Sequence, residues 1–197
     1  MRHRLFAVLA AAIITLSACG INSIPTAEEE AKAKWADVQN QYQRRADLIP
    51  NLVATVQGYA NQERNVLTAV TEARASATRV TVTPEQLTDP EAMRRFAEAQ
   101  GRLSAAIIPL QRLQEAYPEL RSNTNFMALQ SQLEGTENRI AVARRDYNAA
   151  VQAYNTEIRT FPSVIGARVI YGARPMTPYQ ADEAAQRAPT VSFGNSQ

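Results

Sequence analysis

Four charged side chains fall where a helical chain would be expected to hide apolar ones, and they offer the most chemistry in the sequence. On a wheel of 100° per residue, Arg45 lies on the side shared with Val38 and Ile49, and Glu63 lies near the centre of a stripe formed by Val56, Ala60 and Leu67. Glu137 and Arg144 follow Gln130 at seven-residue steps along one edge of a later stripe. Asn148 and Asn155 continue that edge, and Gln100 adds an amide from another helix. The simpler role for this set is a polar layer that fixes register, as a buried Asn does in coiled coils. The alternative is an inter-helix pocket in which Arg45, Glu63, Glu137 and Arg144 hold a small polar or anionic ligand. Glu63 and Glu137 lack the Glu-x-x-His spacing of di-iron bundles, so no metal site and no acid/base pair is read from them.

Other chemistries have few candidates. The chain of 197 residues has one His, His3, and one Cys, Cys19. Once the first eighteen residues are removed as a leader, no imidazole remains and Cys19 is consumed as described below. Zinc sites of the usual kind, Ser-His-Asp and Cys-His catalysis and internal disulfides are then excluded, and no cofactor is implied. The net charge of +2 reflects 21 basic against 19 acidic residues, and loss of Arg2 and Arg4 makes them equal. A neutral domain gives no reason to expect nucleic acid as a partner.

Residues 1–19 begin with Arg2 and Arg4, continue with an apolar run over 5–16 broken only by Thr15, and end Leu16-Ser17-Ala18-Cys19. This is the layout of a secretory signal, and the run is shorter than the ~20 residues of a membrane span. Its ending resembles the lipobox of bacterial lipoproteins, which implies cleavage before Cys19 and lipidation of that residue. Gly20, in place of Asp, resembles sorting to the periplasmic face of an outer membrane; an uncleaved inner-membrane signal anchor is the alternative. The expected organisation is a signal peptide over 1–18, a tether over 19–25, a helical domain over 26–162 and an irregular tail over 163–197 partly docked on it.

These polar residues must be positioned by long helices. Phe126, Leu129, Leu133, Thr136, Ile140, Ala143, Tyr147, Val151, Tyr154, Ile158 and Phe161 recur in steps of three and four and predict one helix over about 123–161. An earlier stripe through Trp35, Val38, Tyr42, Ala46 and Ile49 predicts a helix that starts near Ala27, capped by Thr26 with Glu29. Pro50 is expected to kink or split it before the stripe resumes to about Arg79. Val80 to Pro90 reads as a turn, Asp89-Pro90 as the start of a third helix strained at Pro109, and Ser122 or Asn123 as the cap of the long one. Short reversals between long helices predict an all-α fold, an antiparallel bundle of three to four long helices. Trp35, Tyr42, Tyr147 and Tyr154 read as core. Beyond Pro162, Val164, Ile165, Val169, Ile170 and Tyr171 are expected to dock on one end of the bundle, and Tyr179, Val191 and Phe193 to form a strap along its side.

Four blocks carry a resemblance: WADVQNQYQRRADLIPNLVATVQGYANQE over 35–63, EARA over 72–75, AYPELRSNTNF over 116–126 and LEGTENRIAVARRDYNAAVQAYNTEIRTFP over 133–162. Together they resemble the LemA family of bacterial proteins across about 24–193. The residues matching its characteristic blocks include Arg44, Arg45, Asp47, Pro50, Asn51, Glu134, Asn138, Arg139, Arg145, Tyr147, Tyr154 and Arg159. The resemblance implies an all-α bundle of long helices held near the membrane outside the cytoplasm, and no established enzymatic activity. Here the N-terminus departs from the family's usual transmembrane segment. The expected function is that of a non-enzymatic, membrane-anchored envelope adaptor or scaffold. Its expected partners are the membrane, through a lipid, and unidentified envelope proteins, with self-association left open.

Overall fold

In the computed structural model, which describes residues 22–180, every regular element is helical. The elements are α1 (Ser23–Gln57), α2 (Arg64–Arg79), a 3-10 turn at Pro84–Thr88, α3 (Pro90–Ala116), the single turn α4 (Pro118–Arg121), α5 (Thr124–Glu157), α6 (Ser163–Gly166) and a π-type turn at Ala167–Tyr171. The all-α class is the one the apolar periodicity predicts. The leader, Cys19, Val191 and Phe193 lie outside the described residues.

Cross-helix bonds give the chain directions. Ser23 donates to Glu157, Arg45 to Glu137, and Asn123 to the Tyr59 hydroxyl just past α1, so α1 and α5 run antiparallel. α2 returns along α1, and α3 runs back from Phe96 beside Trp35 to Tyr117 beside Glu63.

Pro50 does not end α1, which continues as one helix to Gln57. Proline deprives the carbonyl four residues earlier of its amide donor, and that carbonyl belongs to Ala46. Arg74 on α2 supplies the replacement, its Nε donating to the Ala46 oxygen at 2.7 Å. The interruption comes instead at 58–63, around Gly58 and Asn61. Glu63 therefore precedes α2 and does not lie mid-stripe.

α1 also starts a turn earlier than its capping signal suggests. Ile24 is completely buried, so packing extends the helix, and the Thr26 hydroxyl donates to the Asn22 carbonyl at 2.9 Å instead of capping. Elsewhere the caps are those the residues predict. Asp89 accepts from the Glu91 amide, with Pro90 opening α3, and Asn123 accepts from the Phe126 amide, both at 2.9 Å. Pro109 sits within α3 on an exposed face, where water can serve the Ala105 carbonyl it orphans.

The core has two apolar compartments. Trp35, Tyr42, Phe96, Tyr147, Val151 and Tyr154 belong to one, and Leu52, Val56, Val70, Leu103, Leu110 and Phe126 to the other. Trp35 meets Phe96 and Tyr147 at ring separations of 5.2 and 5.1 Å, and its indole N–H donates to the Val82 carbonyl at 3.0 Å. Of the residues expected to dock on the end of the bundle, Val164 is half-buried and the other four are not docked, whereas Tyr179 of the expected strap is buried. Ser163, Gly166 and Ala167 are the buried positions of that segment, while Ile165, Val169, Ile170 and Tyr171 face outward. Small residues allow close backbone approach, and the large ones are left on the other side.

Candidate functional site

Arg45 lies between the two compartments, on the inward face of α1, and is 1% exposed. One terminal nitrogen donates to Ser104 Oγ at 2.7 Å and Glu137 Oε1 at 3.0 Å. The other donates to Gln100 Oε1 at 2.7 Å and the Gln100 carbonyl at 3.1 Å. Its Cζ lies 5.0 Å from the Tyr42 ring centre, and the Gln100 side-chain amide donates to the Ala77 carbonyl at 3.3 Å. Arg45 Nε is buried without a partner. With that donor already unused, losing a partner of a terminal nitrogen would leave a further buried donor unpaired, which is costly beside a buried charge. Sliding α1 one turn along α5 would set the guanidinium against apolar side chains on either side, so the layer also opposes slippage of the helix pair.

The structure thus brings Arg45, Gln100 and Glu137 together and places the other two charges elsewhere. The Glu63 carboxylate accepts from the Tyr117 hydroxyl at 3.0 Å near the end formed by 58–63, and desolvation, followed by this hydrogen bond, raises the phenol's pKa. Arg144 stacks over the Tyr179 ring at 4.2 Å. The Glu137 side chain is 45% exposed, so the ion pair is half open to solvent although its cation is not. Gln130 donates to Glu134 at 3.3 Å while its Oε1 is buried without a partner.

Asn148 and Asn155 have a different task from the one their place along the seam suggested. Each clamps the main chain of the extended segment after α6. Asn155 donates to the Met176 carbonyl and accepts from the Met176 amide, both at 2.8 Å. Asn148 does the same with Tyr179 at 3.0 and 2.7 Å. Seven helical residues rise about 10.5 Å, close to the roughly 9–10 Å covered by three extended residues, so the two pairs are in register. The Tyr147 hydroxyl donates to the Thr177 carbonyl at 2.8 Å, and the Thr177 amide donates to the Leu87 carbonyl at 2.8 Å. Tyr179 inserts its ring beside Phe96 and hydrogen-bonds Tyr42 through the hydroxyl at 2.8 Å. Burial, followed by the nearby Tyr179, pushes the Tyr42 pKa far above its ordinary value, and burial does the same to Tyr147, so both phenols stay neutral. The signal available in the sequence was the two-turn Asn spacing opposite a proline-broken segment.

Most of the remaining motif residues are on the surface: Arg44, Asp47, Pro50, Asn51, Glu134, Asn138, Arg139, Arg145 and Arg159, whereas Tyr147 and Tyr154 are buried. Asp47 accepts from Gln43 at 2.7 Å, and Arg139 donates to Gln41 at 3.3 Å and Thr136 at 3.0 Å. Along the outer seam of α1 and α5, Lys34, Asp37, Gln41, Asn138, Arg139 and Asp146 line an open groove of about 330 Å³.

Helices bridged by a buried cation, with a peptide strap clamped across them, define an all-α domain. The chain belongs to the LemA family, which residues 34–193 match. Magnetosome proteins MamQ 1 and MamQ 2 of Paramagnetospirillum magneticum are each 27% identical to it over 164 residues, covering 72% of this chain and 58% of theirs. Magnetosome protein MamQ of Magnetospirillum gryphiswaldense is 26% identical over 167 residues, covering 77% and 61%. The chain therefore spans about three-fifths of the length of these curated relatives. Among the described residues, no helix is long and apolar enough to cross a membrane.

Proposed function

We propose that this chain is a membrane-associated, non-enzymatic adaptor that works through protein contacts along its α1–α5 face. The carrying observation is the groove on that face. It is open and largely apolar, with Val142 and Ala143 in its lining and charges of both signs from Asp37, Arg139 and Asp146 around them, the kind of mixed surface that a partner covers instead of a cavity that engulfs a small molecule. Membership of the LemA family and likeness to magnetosome proteins support the membrane association, and so does the leader ending in Cys19. The polar layer serves as a structural element in this reading, since Arg45 spends its terminal donors on Gln100, Ser104 and Glu137.

The test is site-specific photo-crosslinking in intact envelopes from Asn138 in the groove and from Arg112 on α3. A partner captured from Asn138, absent from Arg112 and lost on Asp37→Arg with Arg139→Glu, is the expected result. Equal capture from both positions, or capture indifferent to the charge swap, refutes it. Mass spectrometry of the mature N-terminus, wild type against Cys19→Ser, tests the anchor separately.

A further inference from the structure

Nine large apolar side chains are exposed among the described residues, and five of them, Phe161, Ile165, Val169, Ile170 and Tyr171, fall within one eleven-residue stretch. Phe161 and Val169 are the most open, at 81% and 79%. An apolar concentration of this kind on a folded domain marks a surface that something covers. Within the segment itself the charge has one sign. Residues 158–180 contain Arg159, Arg168 and Arg174, all exposed, and no Asp or Glu. The carboxylate next to the stretch, Glu157, is tied inward by the hydroxyls of Ser23 and Ser163.

Ser23 is also where α1 begins, so the preceding chain joins the domain at this same end. A fully extended link from Ser23 back to Cys19, the expected site of lipidation, spans at most about 14 Å. Outward aromatic and aliphatic side chains with arginines among them are the composition of surfaces that settle about 5–10 Å into the headgroup boundary of an anionic bilayer. Glu28, Glu29 and Glu30 begin a little over one turn up α1 from Ser23 and would limit the depth.

We propose that the 158–171 end of the bundle is a lipid-contacting surface, seated on anionic headgroups with Phe161, Val169 and Ile170 in the acyl boundary. This rests on the membrane-associated reading above and adds an orientation to it: the bundle stands on this end.

The experiment uses the full chain reconstituted with vesicles of equal phosphatidylglycerol and phosphatidylcholine, with or without brominated acyl chains. Phe161→Trp reports from the proposed surface and Met127→Trp from the opposite end, while the native Trp35 is buried and gives a constant background. Flotation measures attachment independently. The expected result is co-flotation, with the fluorophore added at position 161 losing about half or more of its emission to brominated lipid, and the one at 127 unaffected. Co-flotation without quenching at 161, or with equal quenching at both positions, overturns the orientation and leaves membrane association standing. Failure to float overturns both. A dimer in sedimentation that Val169→Asp converts to monomer, with no quenching at 161, would mean that a second copy covers the surface, and would also overturn the proposal.

Discussion

Arg74 and Pro50 should be energetically coupled although they lie 24 residues apart. Arg74→Met keeps the apolar stem but removes the donor that the Ala46 carbonyl uses in place of an amide at position 50. A hydrogen bond from a charged donor contributes about 1.5–3 kcal/mol net. Arg74 is only half-buried, so the lower end, about 1.5 kcal/mol, is expected. Pro50→Ala restores the amide and relieves the ring's clash with that carbonyl. An unsupported interior proline costs about 3 kcal/mol, and with Arg74 already serving the carbonyl the gain should be nearer 1–2 kcal/mol. In the double variant the new amide bonds Ala46, so loss of Arg74 costs only about 0.5 kcal/mol. The cycle therefore predicts a coupling of about 1 kcal/mol. Urea unfolding of the four proteins, followed by helical circular dichroism with unchanged m-values, measures it. Additivity within about 0.5 kcal/mol would refute the idea that Arg74 substitutes for the missing backbone bond.

Three further outcomes follow from the contacts described. Asn148→Ala and Asn155→Ala should each loosen the strap by about 1–2 kcal/mol, raising hydrogen exchange at the Tyr179 and Met176 amides about 5- to 30-fold; equal acceleration throughout α5 would show that the strap is not a separate unit. Arg45→Met should lower stability by about 1–3 kcal/mol, because Gln100 and Ser104 lose their donor, whereas Glu137→Gln should cost under about 1 kcal/mol, because that carboxylate is half exposed. Equal losses in denaturant titrations would place the weight on the ion pair instead. The hydroxyls of Ser163 and Ser23 hold the Glu157 pKa below its ordinary 4.5. Stability from this group is therefore present above about pH 4.5 and is lost as pH falls through the lowered value. The melting-temperature gap between wild type and Glu157→Gln should narrow from about pH 7 to pH 3, and a constant gap would contradict the assignment.

Periodicity made the helical class and the caps at Asp89 and Asn123 legible, because both depend on neighbours in sequence. It left open whether Pro50 kinks or splits the helix, because the bond that keeps the helix unsplit comes from Arg74 on another helix, and it carried the stripe across 58–63, where Gly58 and Asn61 were the overlooked signals. The inward placement of Arg45 and Gln100 was readable from the wheel. Their partnership was not, since which polar group meets which depends on how helices face one another. Glu63 and Arg144 have the same wheel character as Arg45 and Glu137 and yet sit apart, Glu63 at one end and Arg144 against an aromatic ring. The use of Asn148 and Asn155 depends on a segment with no periodicity of its own, and the outward turn of Val169 and Ile170 on small neighbours claiming the inward positions.

The 34 residues of α5 rise about 51 Å. Tyr59, Tyr117 and Asn123 are consequently held some five nanometres from Phe161, with antiparallel α1 as a brace. Whatever meets the far end does so at a set reach, and shortening α1 and α5 together by two turns would change that stand-off by about 11 Å without altering either tip.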